Sequence, residues 1–187
     1  MKKIVIFASG SGSNAENIIL HFKNKSQGNV IAVLTNNPHA KVLERAENHN
    51  VETVVFSKTE LSDGTVLQKI NQLQPDLIVL AGFLLMFPAA IIAQYPNKII
   101  NVHPALLPKY GGKGMYGMNV HKAVLENHEK ETGISIHYVN EQYDEGAVIF
   151  QASVNIEDCK TPEAIANKVH ELEYKHFPEV IARLLEI

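Results

Sequence analysis

Asn101 and His103 stand two residues apart in the run Lys98-Ile-Ile-Asn101-Val-His103-Pro104. Ile99 and Ile100 are strand-type residues, and side chains alternate along a strand, so the amide and the imidazole project from one face. Pro104 holds His103 in the extended region and bars a helix from starting there. A carboxamide can donate to a developing oxyanion, and an imidazole can move a proton near neutral pH. At the carboxyl end of a buried strand the pair is suited to chemistry. The plain alternative is a satisfied turn, since Asn and His are common before Pro.

Other stretches add candidates. Gly10-Ser-Gly12-Ser13-Asn14-Ala15 follows an apolar run and fits a loose dinucleotide fingerprint with Ala in the last place. Glycines let backbone N–H groups approach an anion, and a helix start favours negative charge. A dinucleotide site also wants an acid about 20 residues further on for the ribose. The second run ends Leu34-Thr35-Asn36-Asn37 without one, so a single phosphate is the better reading, against an ordinary Gly/Ser turn. Asp144 lies in Gln142-Tyr-Asp-Glu-Gly146, a turn-like segment. Its carboxylate would orient His103 or keep it protonated if the fold brought them together, which spacing alone does not decide. His170 and Glu173 share a helix face one turn apart, by default a solvated one. Ala81 to Phe87 runs past a strand as apolar residues, at the sheet edge where parallel α/β folds bind ligands.

The elements that must position these groups alternate. Lys3–Ala8, Asn29–Leu34, Val51–Phe56, Asp76–Ala81 and the Asn101 run read as strands, with helices between them near Ala15–Phe22, Lys41–Asn48, Val66–Leu73 and Pro88–Tyr95. That is the signature of a doubly wound, mostly parallel α/β sheet. From Lys109 the character changes. Four glycines between Gly111 and Gly117 make a mobile loop, Val120–His128 is a helix, and Gly133–Val139 and Ala147–Ile156 are longer strands expected to pair antiparallel. A long C-terminal helix follows, with Thr161 as N-cap, Pro162 at its first position and a kink expected at Pro178.

Composition excludes several classes. The 187 residues are 45% apolar and 20% charged, which is globular and fits one domain. A net charge of −3 without a basic run argues against nucleic acid. Cys159 is the only cysteine, leaving no disulfide framework or cysteine-based zinc site, and no metal is expected. No apolar run reaches the ~20 residues of a membrane span. The short first apolar run is no signal-peptide core, so a cytoplasmic location is expected.

Taken together, Ser9-Gly-Ser-Gly-Ser-Asn14, Asn101-Val-His103-Pro-Ala-Leu-Leu-Pro108 and Gly133-Ile-Ser-Ile-His-Tyr-Val-Asn-Glu-Gln-Tyr-Asp144-Glu-Gly146 resemble, in order and separation, the folate-dependent formyltransferases. The likeness runs from Lys3 to about Leu185, and the Gly-Ser-Asn loop points to members acting on glycinamide ribonucleotide. The resemblance implies a Rossmann-like formyltransferase fold and direct formyl transfer from 10-formyltetrahydrofolate to the amine of that nucleotide in purine (IMP) synthesis. It implies Asn101, His103 and Asp144 as the catalytic trio, Gly12, Ser13 and Asn14 on the phosphate, and Glu173 on the ribose hydroxyls. Leu84, Leu85, Met86 and Phe87, with Asn101, Asn140 and Glu141, would line the folate site. It divides the single domain 1–187 into a phosphate-binding half, 1–108, and a folate and catalytic half, 109–187. Relatives often carry an arginine for the folate where this chain has Ser57 to Asp63, whose one cation is Lys58. The alternative is 10-formyltetrahydrofolate hydrolase, which carries an extra N-terminal domain; a first strand opening at Lys3 favours transfer. A tRNA formyltransferase would want a basic C-terminal extension.

Overall fold

A computed structural model describes residues 1–187. One seven-stranded sheet runs through it in the order β3-β2-β1-β4-β5-β6-β7. β1 (Lys2–Phe7), β2 (Gly28–Thr35), β3 (Glu52–Val55), β4 (Leu77–Leu80) and β5 (Ile99–His103) are parallel, and β6 (Glu131–Tyr138) and β7 (Val148–Asn155) continue the sheet antiparallel. β4 is buried at every position, as expected of a strand covered on both faces.

Alternation along β1 divides its side chains between two cores. Ile4 and Ile6 pack with Ile18 and Phe22 of α1 (Ser13–Phe22) and with Val169 and Phe177 of α7 (Pro162–Leu185). Val5 and Phe7 pack on the other face with Ile70 of α4 (Thr65–Leu73) and Ile91 of α5 (Ala89–Gln94). The chain winds outward from β1 to β3, then crosses to β4 on the other side of β1. That reversal is a topological switch point, and the crevice beyond the carboxyl ends of β1 and β4 is where such sheets bind ligands. The turns after Phe7 and Leu80 flank it.

Most strands and helices fall within a residue or two of the expected bounds. The clearest addition is α3 (Lys58–Ser62), too short to show an apolar period. Its signal is a capping box: the Ser57 hydroxyl accepts from the Glu60 N–H while the Glu60 carboxylate accepts from the Ser57 N–H. α2 (Lys41–Asn48) follows β2, and α6 (Met118–Glu126) starts two residues before the expected Val120.

α7 continues as helix past Pro178 to Leu185. Proline offers no N–H to the carbonyl four residues back, which is that of Tyr174. Asn17 of α1 fills the gap, its side-chain N–H donating to the Tyr174 carbonyl at 2.8 Å. The bond also ties α1 to α7 beside Asn14 and Glu173. Asn17→Ala should cost ~0.5–1.5 kcal/mol in urea unfolding. The loss should shrink in a Pro178→Ala background, where the restored N–H satisfies Tyr174; an equal loss in both backgrounds would assign Asn17 another role.

Candidate active site

Asn101 and His103 are brought out side by side at the carboxyl end of β5, as alternation requires. Antiparallel pairing with β6 sets His137 opposite Asn101 and Ser135 opposite His103. The Asn101 amide lies 3.2 Å from Nε2 of His137. Nδ1 of His137 lies 2.9 Å from the carbonyl of Tyr138 and must donate to it. An amide N–H can only donate, so Nε2 accepts one N–H of Asn101 and leaves the second free.

Asp144 closes the group from the β6–β7 connection, in the left-handed region with φ 56. The same connection passes so close to β6 that a Cβ on Gly146 would overlap the carbonyl of Tyr138, its carbon at 2.7 Å. Asp144 Oδ2 is 3.5 Å from Nδ1 of His103, and Oδ1 is 3.5 Å from Nε2 of His137. The N–H of Gly112 donates to Oδ2 at 3.1 Å. Nε2 of His103 donates to the Tyr110 carbonyl at 2.6 Å. One carboxylate thus sits between two imidazoles, each held at its far nitrogen by a backbone carbonyl. Spacing in the sequence left the meeting of Asp144 and His103 open; the fold makes it.

Charge in the group is set by burial against contact. His103 is 3% exposed. Burial pushes its pKa down; the Asp144 carboxylate and the Tyr110 carbonyl pull it up, His137 adds to the lowering, and the balance is a depressed value. The expectation that Asp144 keeps His103 protonated is therefore corrected. Asp144 acts in the expected direction, but burial outweighs it and the ring is mainly neutral at pH 7. Burial raises Asp144, yet the two flanking imidazoles and the Gly112 N–H together hold it below the usual carboxylate range.

The other candidates converge on the same crevice, a cavity of about 690 Å³. Gly12, Ser13 and Asn14 form one end, with Gly12 as N-cap of α1 at φ 72. The Asn14 amide donates to Glu173 at 2.8 Å. Glu173 is 6% exposed, which corrects the solvated face its spacing suggested. Burial raises its pKa against the lowering pull of Asn14 and His170. Leu84, Leu85 and Met86 line the crevice too, with Val139, Asn140 and Glu141, and the Leu84 N–H donates to the Ser9 hydroxyl at 3.0 Å. Leu84 and Met86 are half exposed, whereas Phe87 is buried edge-on against Phe7 and belongs mainly to the second core. Lys58 does not line the crevice. At the end of β2, Asn36 accepts from the Ser9 hydroxyl at 2.7 Å. An amide that anchors the first turn stands where a dinucleotide site would want an acid.

Sequence reasoning missed His137 and His121. His137 lies in the Ile-Ser-Ile-His-Tyr run and shares its face with Ser135, but only the β5–β6 register gives it a partner. His121, on α6, is buried, and burial with the nearby His170 and His103 pushes its pKa down to about 4. The loop after Lys109 is tied down at its base: Tyr110 donates its hydroxyl to Glu129 at 2.8 Å, and Lys109 reaches the same oxygen. Burial and that carboxylate push the phenol up to about 12. No helix is long and apolar enough to cross a membrane, and no cluster of His, Cys, Asp and Glu is set to hold a metal ion.

Fold and site define a doubly wound α/β protein with a glycine turn at a helix start beside an amide, two imidazoles and a carboxylate. The sequence profile of the family described as "Formyl transferase" matches residues 2–181, and the chain belongs to that family. It is 38% identical over 192 residues to "Phosphoribosylglycinamide formyltransferase, chloroplastic" of Arabidopsis thaliana, covering 99% of this chain and 66% of that protein. The chain therefore spans about two thirds of the length of that plant relative. It is 35% identical to "Phosphoribosylglycinamide formyltransferase" of Bacillus subtilis, covering 99% and 95% of the two chains. The crystal structure of phosphoribosylglycinamide formyltransferase from Anaplasma phagocytophilum matches with a TM-score of 0.90 at 28% identity, covering 99% of this chain and 87% of that one.

The charge balance can be measured directly. Asp144→Asn keeps the shape and removes the upward pull on His103, so the imidazole pKa, followed by NMR titration, should fall further below its wild-type value. Formyl-transfer turnover should fall at least about 10²-fold, on the scale of lost proton-transfer catalysis. An unchanged His103 pKa with turnover within twofold would leave Asp144 as a turn residue.

Proposed function

We propose that the chain transfers the formyl group of 10-formyltetrahydrofolate to the amine of glycinamide ribonucleotide, a step of purine synthesis. The observation that carries this is that one crevice is lined by the helix start and Glu173, by the apolar Leu84–Phe87 stretch and by the Asn101–His103–Asp144 group together. The phosphate meets the N–H groups of Gly12, Ser13 and Asn14, and the carboxylate of Glu173 takes the ribose hydroxyls. The pterin enters between Leu84–Phe87 and Asn140–Glu141. Two bound reactants face each other without the entropy cost of a chance encounter.

The amine attacks the formyl carbon, a C–N bond forms, and the formyl oxygen gains the negative charge. The free N–H of Asn101 donates to that oxygen, a preorganised interaction of the kind that supplies much of catalysis. His103 exchanges the Tyr110 carbonyl for the same oxygen, and its Nδ1 takes the proton the amine loses, by way of Asp144, so that the ring becomes cationic. That proton passes back through the Asp144 carboxylate to the folate nitrogen as the C–N10 bond breaks and the formyl C=O re-forms. Neutral His103 in the unliganded site suits this cycle, because it is free to accept a proton.

Residues 1–187 act as one domain, with the phosphate loop from 1–108 and the connection carrying Asp144 from 109–187; the shared sheet supports this reading. The free, buried thiol of Cys159 fits a reducing compartment, and the cytoplasm is the proposed location.

Purified protein should consume 10-formyltetrahydrofolate only when glycinamide ribonucleotide is present. Equal consumption without the amine would make the chain a hydrolase. Asn101→Ala should lower kcat by roughly 10²–10³ with little change in KM, the scale of one lost oxyanion donor. A raised KM with kcat intact would assign Asn101 to ground-state binding.

A further inference from the structure

The turn Gly10–Asn14 has its carbonyls tied from behind by α2. The Val42 N–H donates to the Gly10 carbonyl at 3.2 Å, and Nε of Arg45 donates to the Ser11 carbonyl at 2.8 Å. Gly12 sits directly on Val42, so that a Cβ there would lie 2.7 Å from the Val42 Cα. The Gly12 carbonyl opens the helix ladder by accepting from Glu16 at 2.9 Å. The N–H groups of Gly12, Ser13 and Asn14 donate to no acceptor within the chain.

Peptide planarity turns these facts into a direction. In a trans peptide the C=O of one residue and the N–H of the next point oppositely. Pinning the Ser11 carbonyl onto Arg45 therefore aims the Gly12 N–H away from α2, towards the crevice. The lining of that crevice is suited to a polar ligand: Nδ1 of His121 and Oδ1 of Asn14 are buried without partners, and His121 is only 2% exposed.

One feature would otherwise oppose an anion. Glu16 carries a carboxylate in the first turn of α1, close to the helix start. Arg45 pairs with it through Nη1 while Nε holds Ser11, and Nε2 of His49 lies 3.1 Å from its other oxygen. These contacts hold the Glu16 carboxyl below the usual carboxylate range, the His49 hydrogen bond foremost and Arg45 next, against the opposing effect of burial. The guanidinium spans α2, the turn and α1 at once.

We propose that Arg45, braced by Glu16, is a positioning residue for the phosphate subsite: it orients the Ser11–Gly12 peptide so that the Gly12 N–H meets the substrate's phosphate. Arg45 touches no substrate in this assignment, which rests on the functional reading above only for the identity of the phosphate's owner.

Two variants separate orientation from charge. Arg45→Met removes both the donor and the cation. Glu16→Gln removes the brace while leaving the cation, and takes a negative charge away from the phosphate. Attraction alone would make Glu16→Gln bind phosphate more tightly; orientation makes it bind more weakly. The full chain is titrated with inorganic phosphate and followed by amide NMR. Wild type should show saturable shifts at Gly12, Ser13 and Asn14. Arg45→Met should weaken binding at least about fivefold, the scale of one hydrogen bond, and Glu16→Gln should weaken it by less. Absence of shifts in wild type, wild-type affinity in Arg45→Met, or equal or tighter binding in Glu16→Gln would each overturn the proposal. Should Arg45→Met not fold, the sign of the Glu16→Gln effect decides. Competition by glycinamide ribonucleotide is a separate arm. If phosphate binds as described and the nucleotide does not displace it, the functional reading fails and the positioning role stands.

Discussion

Asp144 carries its charge into the crevice between His103 and His137, with 3.5 Å to each ring. A buried carboxylate is costly unless its oxygens are matched by donors or opposite charge. Here the Gly112 N–H donates to one oxygen at 3.1 Å, and two imidazoles flank the carboxylate, their far nitrogens held by the Tyr110 and Tyr138 carbonyls. Burial favours neutral imidazole, and the carboxylate favours the cation. The opposition leaves His103 uncharged but readily charged, the state a proton carrier needs before it acts.

The sheet supplies the geometry for this balance. Five parallel strands create a switch point and an open edge, and two antiparallel strands then close one side of it. Had β6 run parallel to β5, its carboxyl end would lie at the same edge and the β6–β7 connection would start from there too. Its antiparallel register instead sets His137 directly across from Asn101, so that one amide N–H is used and one is spared. The turn bearing Asp144 leaves β6 a few residues later and folds back over both rings.

At the other end of the crevice the constraints concern main chain more than side chains. Gly12 is confined by its positive φ and by Val42, and the turn's carbonyls are taken up by α2. The Gly10–Asn14 turn therefore has its shape before any ligand arrives, which reduces the ordering cost of binding. Leu84 and Met86, which line the same crevice, are half exposed, so a ligand that covered them would gain apolar burial.

Alternating apolar runs and helical spacing were enough to read the parallel α/β half, because each strand and helix there is specified by contacts a few residues apart. The positions of Asn101 and His103 on one face followed from the period of a strand, and the Gly10–Asn14 turn from its glycines. Three facts could not be read locally. The charge state of His103 depends on burial under residues far along the chain; the partners of Glu173 and Asp144 come from segments more than 30 residues away, Asn14 and His103; and the donor to the Tyr174 carbonyl, which Pro178 cannot satisfy, comes from Asn17 of another helix. Local pattern fixes which way a side chain can point along its own element. What it meets there, and hence its charge and its chemistry, is decided only when distant elements pack and exclude water.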